Sequence, residues 1–249
     1  MALFKSGNPA LKQETFAGLS VAGGEEVMTL QGTVNKTGLL LTLIIVAAFY
    51  TWNIYFSTND PASIVGYLLV GTIGGLIVGV VTAFKKTWAP VLAPAYAVLQ
   101  GLALGGISAI FEAEMPGIVL EAMTLTFGIF AVLLVLYKTE VIKASENFKL
   151  IVASATGGIA LYYLVSMFGG MFGFQLPLIH DNTTGGIIFS LFVVAIASMN
   201  LVVDFDFIEQ GAEQRCPKYM EWYGAFGLMV TLVWLYLEIL RLLAKSRRR

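Results

Sequence analysis

Apolar residues in this chain come in runs of about twenty or more, broken by short polar connections, and that pattern limits the fold more than any other feature. A helix crosses roughly 30 Å of hydrocarbon with about 20 mainly apolar residues. Seven such runs occur, at about 37–57, 63–84, 88–110, 117–137, 149–174, 184–208 and 222–244. In lipid, each backbone polar group must be satisfied inside its own segment or in a closed barrel, so runs of this length predict helices. Composition agrees, because 57% of the 249 residues are hydrophobic and 12% charged, against about a quarter charged in a soluble domain. The expectation is an all-α, multi-pass integral membrane protein with no room for a soluble domain.

Residues 1–36 are polar and glycine-rich and lack the apolar core of a cleavable signal peptide. They are predicted to be a mobile N-terminal segment ahead of a membrane domain at 37–249, whose first span would serve as the targeting signal. One cysteine, Cys216, allows no intrachain disulfide. The net charge of −1 gives no footing for a nucleic-acid partner.

Basic residues set orientation, since cytoplasmic connections collect Lys and Arg. Lys5, Lys12 and Lys36 precede the first span; Lys85 and Lys86 follow the second, Lys138, Lys143 and Lys149 lie around the fourth connection, and Arg215 and Lys218 lie in the sixth. The first, third and fifth connections hold none. This alternation predicts a cytoplasmic N-terminus in a bacterial inner membrane. The closing RLLAKSRRR breaks the pattern, because seven complete crossings put it outside. The last run is long enough to span, and a full crossing is favoured over a re-entrant element.

Glycines Gly71, Gly75 and Gly79 in the second span, and Gly101 and Gly105 in the third, recur every fourth residue. This spacing predicts close helix packing within the chain.

Four carboxylates lie within or at the edge of spans: Glu121, Asp204, Asp206 and Glu238. A charged acid at bilayer depth costs at least about 2.5 kcal/mol, so such groups face a protein interior or a water cavity. On a helix, residues two apart point about 200° from each other, so Asp204 and Asp206 cannot share a face. Asp204 lies one turn from Asn200 and forms an inner polar stripe with it; Asp206, with Glu209, is expected at a wet cytoplasmic end. Glu238 has Arg241 three residues on, which allows either an ion pair within the helix or a reach to another helix. Glu121, near the start of the fourth span, is a secondary candidate for an ion path.

Catalytic patterns are missing from the sequence. There is one histidine, His180, no HExxH and no GxSxG. A non-enzymatic protein without a resident cofactor is expected. Oxygen-only groups suit hard cations such as Ca²⁺, or protons.

The order of seven spans, the NLVVDFDFIEQGAE at the end of the sixth, the closing YLEILRLL and the VLEAMTLTFGIFAVL of the fourth together resemble the transmembrane Bax-inhibitor-motif family, closest to its bacterial membrane proteins. The likeness runs over about 37–244. It implies a seven-transmembrane-helix bundle with a central C-terminal helix and a pH-sensitive calcium leak, whose sensor is a pair of carboxylates in the last two spans sharing a proton when closed. The pair falls on Asp204 and Glu238, which would also be the transient Ca²⁺ ligands, and a basic latch falls on Lys85 or Lys86. Three departures stand out: a glutamate at 238 where the family usually has aspartate, Arg241 where it commonly has asparagine, and the extra acid Asp206. From another class, the chain could be a non-conducting scaffold that regulates membrane proteases.

Overall fold

The computed structural model describes residues 26–173, Ile179 and residues 183–248. It contains seven helices long and apolar enough to cross a membrane: α1 Leu30–Thr58, α2 Pro61–Phe84, α3 Lys86–Glu114, α4 Ile118–Lys138, α5 Glu146–Met171, α6 Thr184–Glu213 and α7 Met220–Arg247. The chain is an all-α, multi-pass integral membrane protein.

Local chemistry explains where these helices begin. The Thr29 hydroxyl caps α1 by accepting from Gly32 N at 3.0 Å, which satisfies one of the orphan donors of the first turn. The helix therefore starts seven residues before the apolar run, and the polar stretch 30–36, expected to be mobile, is helical. Residues 1–25 lie outside the described part. Asp60 caps α2 by accepting from Ala62 N at 2.9 Å, with Pro61 in the first position, where a missing N–H does no harm. Glu112 accepts from Gly117 N at 2.6 Å and Val119 N at 3.1 Å as the chain enters α4. Ser145 caps α5 by accepting from Phe148 N.

The chain divides into two compact units. One takes in Leu120–Asp206 and Val230–Arg249; the other takes in residues up to Val119 together with Phe207–Met229.

In the second of these, α1, α2 and α3 meet backbone to backbone at the predicted glycines. A Cβ on Gly101 would stand 2.5 Å from the Ile44 carbonyl oxygen, and one on Gly71 would stand 2.6 Å from that of Leu99. Gly105 abuts the Ala48 backbone in the same way. Around Gly71 the helix widens into a single π turn, Val70–Gly74.

The same unit holds a polar lock that the hydropathy pattern gave no hint of. Glu221, in the first turn of α7, is fully buried. Its carboxylate accepts from Thr29 N at 2.9 Å and Thr29 Oγ1 at 2.8 Å, and it pairs with Lys36 and, at 3.1 Å, with Lys218. Backbone bonds from Met28 N to Cys216 O at 2.7 Å and from Lys218 N to Glu26 O at 3.1 Å extend the contact. Residues 26–29 are thus strapped to the connection before α7. Burial pushes the Cys216 thiol up, away from thiolate reactivity.

Helix α7 stays helical to Arg247, so its 28 residues reach about 42 Å at 1.5 Å per residue, and from Val230 on it belongs to the first unit. Its basic end is bonded to protein. Lys245, buried, donates to Gly186 O at 3.1 Å and Ser190 Oγ at 3.0 Å, and Arg247 pairs with Glu121 at 2.6 Å. The end of α7 therefore lies on the side where α4 and α6 begin, as a helix running the full length of the unit requires. Its most apolar stretch is 61% buried, against 17% for α4 and 11% for α5, which fits the enclosed place expected of the last helix.

Two outcomes test this packing. Gly101→Ala forces a Cβ against backbone, and overpacking of this kind costs about 1–3 kcal/mol; the melting temperature in detergent is expected to fall by several degrees. Gly157→Ala, where a Cβ meets nothing within 4 Å, is expected to leave it unchanged or raise it, so equal losses in both variants would argue against the close approach. Glu221→Gln breaks a buried ion pair, at a cost of roughly 3 kcal/mol, and should lower the melting temperature further than Glu140→Gln, which removes an exposed pair with Lys143.

Candidate functional site

Helix α5 presents Lys149, Thr156 and Tyr163 at every seventh residue. Seven residues are close to two full turns, so the three side chains stack on one face. Each meets a polar group of α6 or α7. Lys149 Nζ pairs with Asp206 at 2.7 Å, Thr156 Oγ1 accepts from Asn200 Nδ2 at 2.8 Å, and the Tyr163 hydroxyl donates to Glu238 Oε1 at 2.8 Å. Because Lys149 meets Asp206 while Thr156 meets Asn200, α5 and α6 run antiparallel. From Lys149 to Tyr163 the ladder climbs about 21 Å at 1.5 Å per residue. Elsewhere α5 is apolar and open, with Ile151, Leu161, Leu164 and Phe168 all exposed, a surface suited to lipid.

Asp204 is fully buried, one turn from Asn200, which is 3% exposed. The inner polar stripe read from the sequence therefore exists. Asn200 Nδ2 also donates to Ile196 O at 2.9 Å, and Phe205 beside it packs edge-on to Phe130.

Glu238 is 1% exposed. The two alternatives left open for it are both realised: Arg241 Nη1 lies 2.7 Å from Glu238 Oε1 on the same helix, and Tyr163 bonds the same oxygen from α5. Arg241 Nη1 also donates to the Tyr163 hydroxyl at 2.9 Å, with the guanidinium 5.4 Å from the ring centroid. Guanidinium, phenol and carboxylate form a closed triangle on one oxygen. Glu238 Oε2 is buried and makes no hydrogen bond among the described residues.

Helix register separates Asp204 from Glu238. Trp234 packs on the cluster of Ile159, Val193 and Ile196, and Lys245 reaches Gly186 and Ser190. Glu238 falls between these contacts, level with the turn from Phe189 to Val193; its partner Tyr163 also faces the Phe189 ring, with centroids 6.4 Å apart. Asp204 lies eleven residues past Val193, about 16 Å along the axis at 1.5 Å per residue. This offset of backbone positions sets the two residues at different levels, and the proton-sharing pair remains what the resemblance implies. The resemblance placed the residue types correctly on helices but not at one depth.

The other candidates distribute as follows. Asp206, its side chain 18% exposed, is ion-paired to Lys149, which also meets the exposed Glu146 in the first turn of α5 at 3.3 Å. Glu121 lies in the first turn of α4, 46% exposed and paired with Arg247, apart from the ladder. Lys86 sits over the Tyr223 ring, 5.9 Å from its centroid, and Lys85 is the residue at which α2 stops. Both belong to the other unit, and a latch from either to Asp204 is carried by the resemblance alone. His180 lies outside the described residues.

Thr156 and Tyr163 escaped the sequence reading because attention to ionisable groups passed over hydroxyls. The signal was there, in the strict spacing that leads from Lys149. Among the described residues, no three or more His, Cys, Asp or Glu gather as metal ligands.

Comparison with known proteins gives one result. Neither a curated protein nor a solved structure matches this chain. A family model described as Bax inhibitor 1 like matches residues 8–248, nearly the whole chain. A seven-span, all-helical membrane protein with buried carboxylates in its last two helices, it belongs to the Bax inhibitor 1 like family.

Proposed function

We infer that this protein is a slow, pH-sensitive cation leak with Ca²⁺ as the permeant ion, and that the polar face of α5 together with Asp204 and Glu238 lines its path. The observation that carries this reading is the ladder itself. It gives a column of polar partners about 21 Å long on a helix otherwise turned to lipid, with a fully buried carboxylate between its rungs. Buried polar groups at bilayer depth are costly, and such groups commonly mark ion paths.

The pH response follows from the cost of an ionised acid at bilayer depth, at least about 2.5 kcal/mol. With its proton on, Asp204 carries no charge for a cation to use. Loss of the proton as pH rises favours entry of water and a cation, and a bias of about 1.4 kcal/mol shifts a balanced two-state bundle tenfold. Glu238 is then a second station, held by Tyr163 and Arg241, and the latch that the resemblance implies is Lys85 or Lys86. By the distribution of basic connections, the N-terminus is cytoplasmic.

The test is Ca²⁺ flux into proteoliposomes of the purified protein across a pH series. Wild-type flux is expected to rise with pH; Asp204→Asn should flatten that rise, and Glu238→Gln should change the flux roughly tenfold, the ratio set by about 1.4 kcal/mol. Absence of flux in the wild type would favour a non-conducting scaffold acting on membrane proteases. Unaltered flux and pH profile in both variants would sink the assignment of the two carboxylates.

A further inference from the structure

Both donors to Glu238 land on the same atom. Arg241 Nη1 and the Tyr163 hydroxyl each bond Oε1, at 2.7 and 2.8 Å, and bond one another at 2.9 Å. Oε2, buried and without a hydrogen bond among the described residues, is the one oxygen of this carboxylate left for a passing cation. A cation on Oε2 stands a carboxylate's width from Oε1 and so within a few ångströms of the guanidinium.

We propose, on the leak reading above, that Arg241 restricts divalent-cation passage at Glu238 and that Tyr163 is the positioning residue that holds the guanidinium there. The carboxylate and guanidinium together are neutral, so the station offers a cation little net attraction. Coulomb repulsion scales with the charge of the incoming ion, so a divalent ion meets twice the repulsion from Arg241 that a monovalent ion meets. Tyr163 fixes that charge by two contacts, the hydroxyl bond and the ring face 5.4 Å away, and cations bind aromatic faces in this geometry. Side-chain exposure of 36% at Arg241, against 2% at Glu238, puts the guanidinium at the mouth of the station and the carboxylate inside it.

The experiment measures Ca²⁺ and K⁺ flux in proteoliposomes for the wild type, Arg241→Gln, Arg241→Lys, Tyr163→Phe and Glu238→Gln, each checked for a monodisperse elution profile. Arg241→Gln is expected to raise the Ca²⁺:K⁺ flux ratio roughly tenfold, the shift that about 1.4 kcal/mol produces. Arg241→Lys keeps the charge and should keep the ratio near the wild type, a rescue that loss of packing would not give. Tyr163→Phe loses one of the two contacts and should raise the ratio by less than Arg241→Gln does. Should Arg241→Gln fail to fold, Tyr163→Phe carries the test alone. A ratio unmoved in Arg241→Gln, or in Tyr163→Phe when it stands alone, overturns the proposal while Glu238→Gln still alters flux. If the wild type conducts neither ion, or Glu238→Gln changes nothing, the leak reading falls and this proposal with it.

Discussion

The contact of α5 with the last two helices depends on polar groups that have nowhere else to go. In hydrocarbon no water competes for a hydroxyl, an amide or an ammonium, so each must be satisfied by another part of the protein. Helix α5 buries few apolar side chains, Val152 and Ile159 among them, and turns large ones outwards along most of its length. Three bonds, from Lys149, Thr156 and Tyr163, fix its rotation and its depth against α6 and α7. A sideways shift by one turn would break all three together. Dispersion alone would tolerate such a slip, because lipid tails are as apolar as leucine. Position along this face is therefore specified mainly by polar chemistry, with Ile159 packed on Val193 and Ile196 beside it and the exposed apolar side chains turned outwards.

The fold was largely legible in the sequence. Seven runs became seven helices, because length and hydropathy decide that question almost alone in a membrane. The glycine spacings were legible for a related reason: only glycine lets Gly101 approach the Ile44 carbonyl, and a four-residue period puts such positions on one face. What could not be read was anything set by pairing. The start of α1 depended on Thr29 and on Glu221, 192 residues away. Asp206 reads as a solvated helix end until a lysine on another helix is placed beside it. Charge arithmetic along the chain has the same weakness. The basic tail breaks the orientation pattern as a list of residues, but Arg241, Lys245 and Arg247 are each bonded to a carboxylate, a carbonyl or a hydroxyl of the protein, and such charges carry part of their own counter-charge with them.

The candidate site was half legible for a more specific reason. Hydropathy exposes a carboxylate in an apolar run, and it found Asp204 and Glu238. Family resemblance then joined them, since it transfers residue types along a sequence and carries no axial register. Register here is set by Trp234 on the Val193 cluster and by Lys245 at Ser190, neither of which is a motif residue. In a bundle with a rise of 1.5 Å per residue, an offset of eleven positions separates two groups by about 16 Å. Membership in the Bax inhibitor 1 like family therefore fixes the architecture of this chain but leaves the spacing of its buried acids to be read from its own contacts.

On the leak reading proposed above, two stations in place of one shared pair would alter the physics of gating. A proton held between two acids couples them tightly, so that both respond at once to a change in pH. Acids about 16 Å apart along a helix interact only weakly, and each takes its character from its own surroundings. Glu238 is tied to a phenol and a guanidinium. Asp204 is fully buried, with Asn200 one turn away. On the leak reading proposed above, pH would act at Asp204 and the charge of the ion at Glu238, so that gating and selection would be separable functions of two adjacent helices.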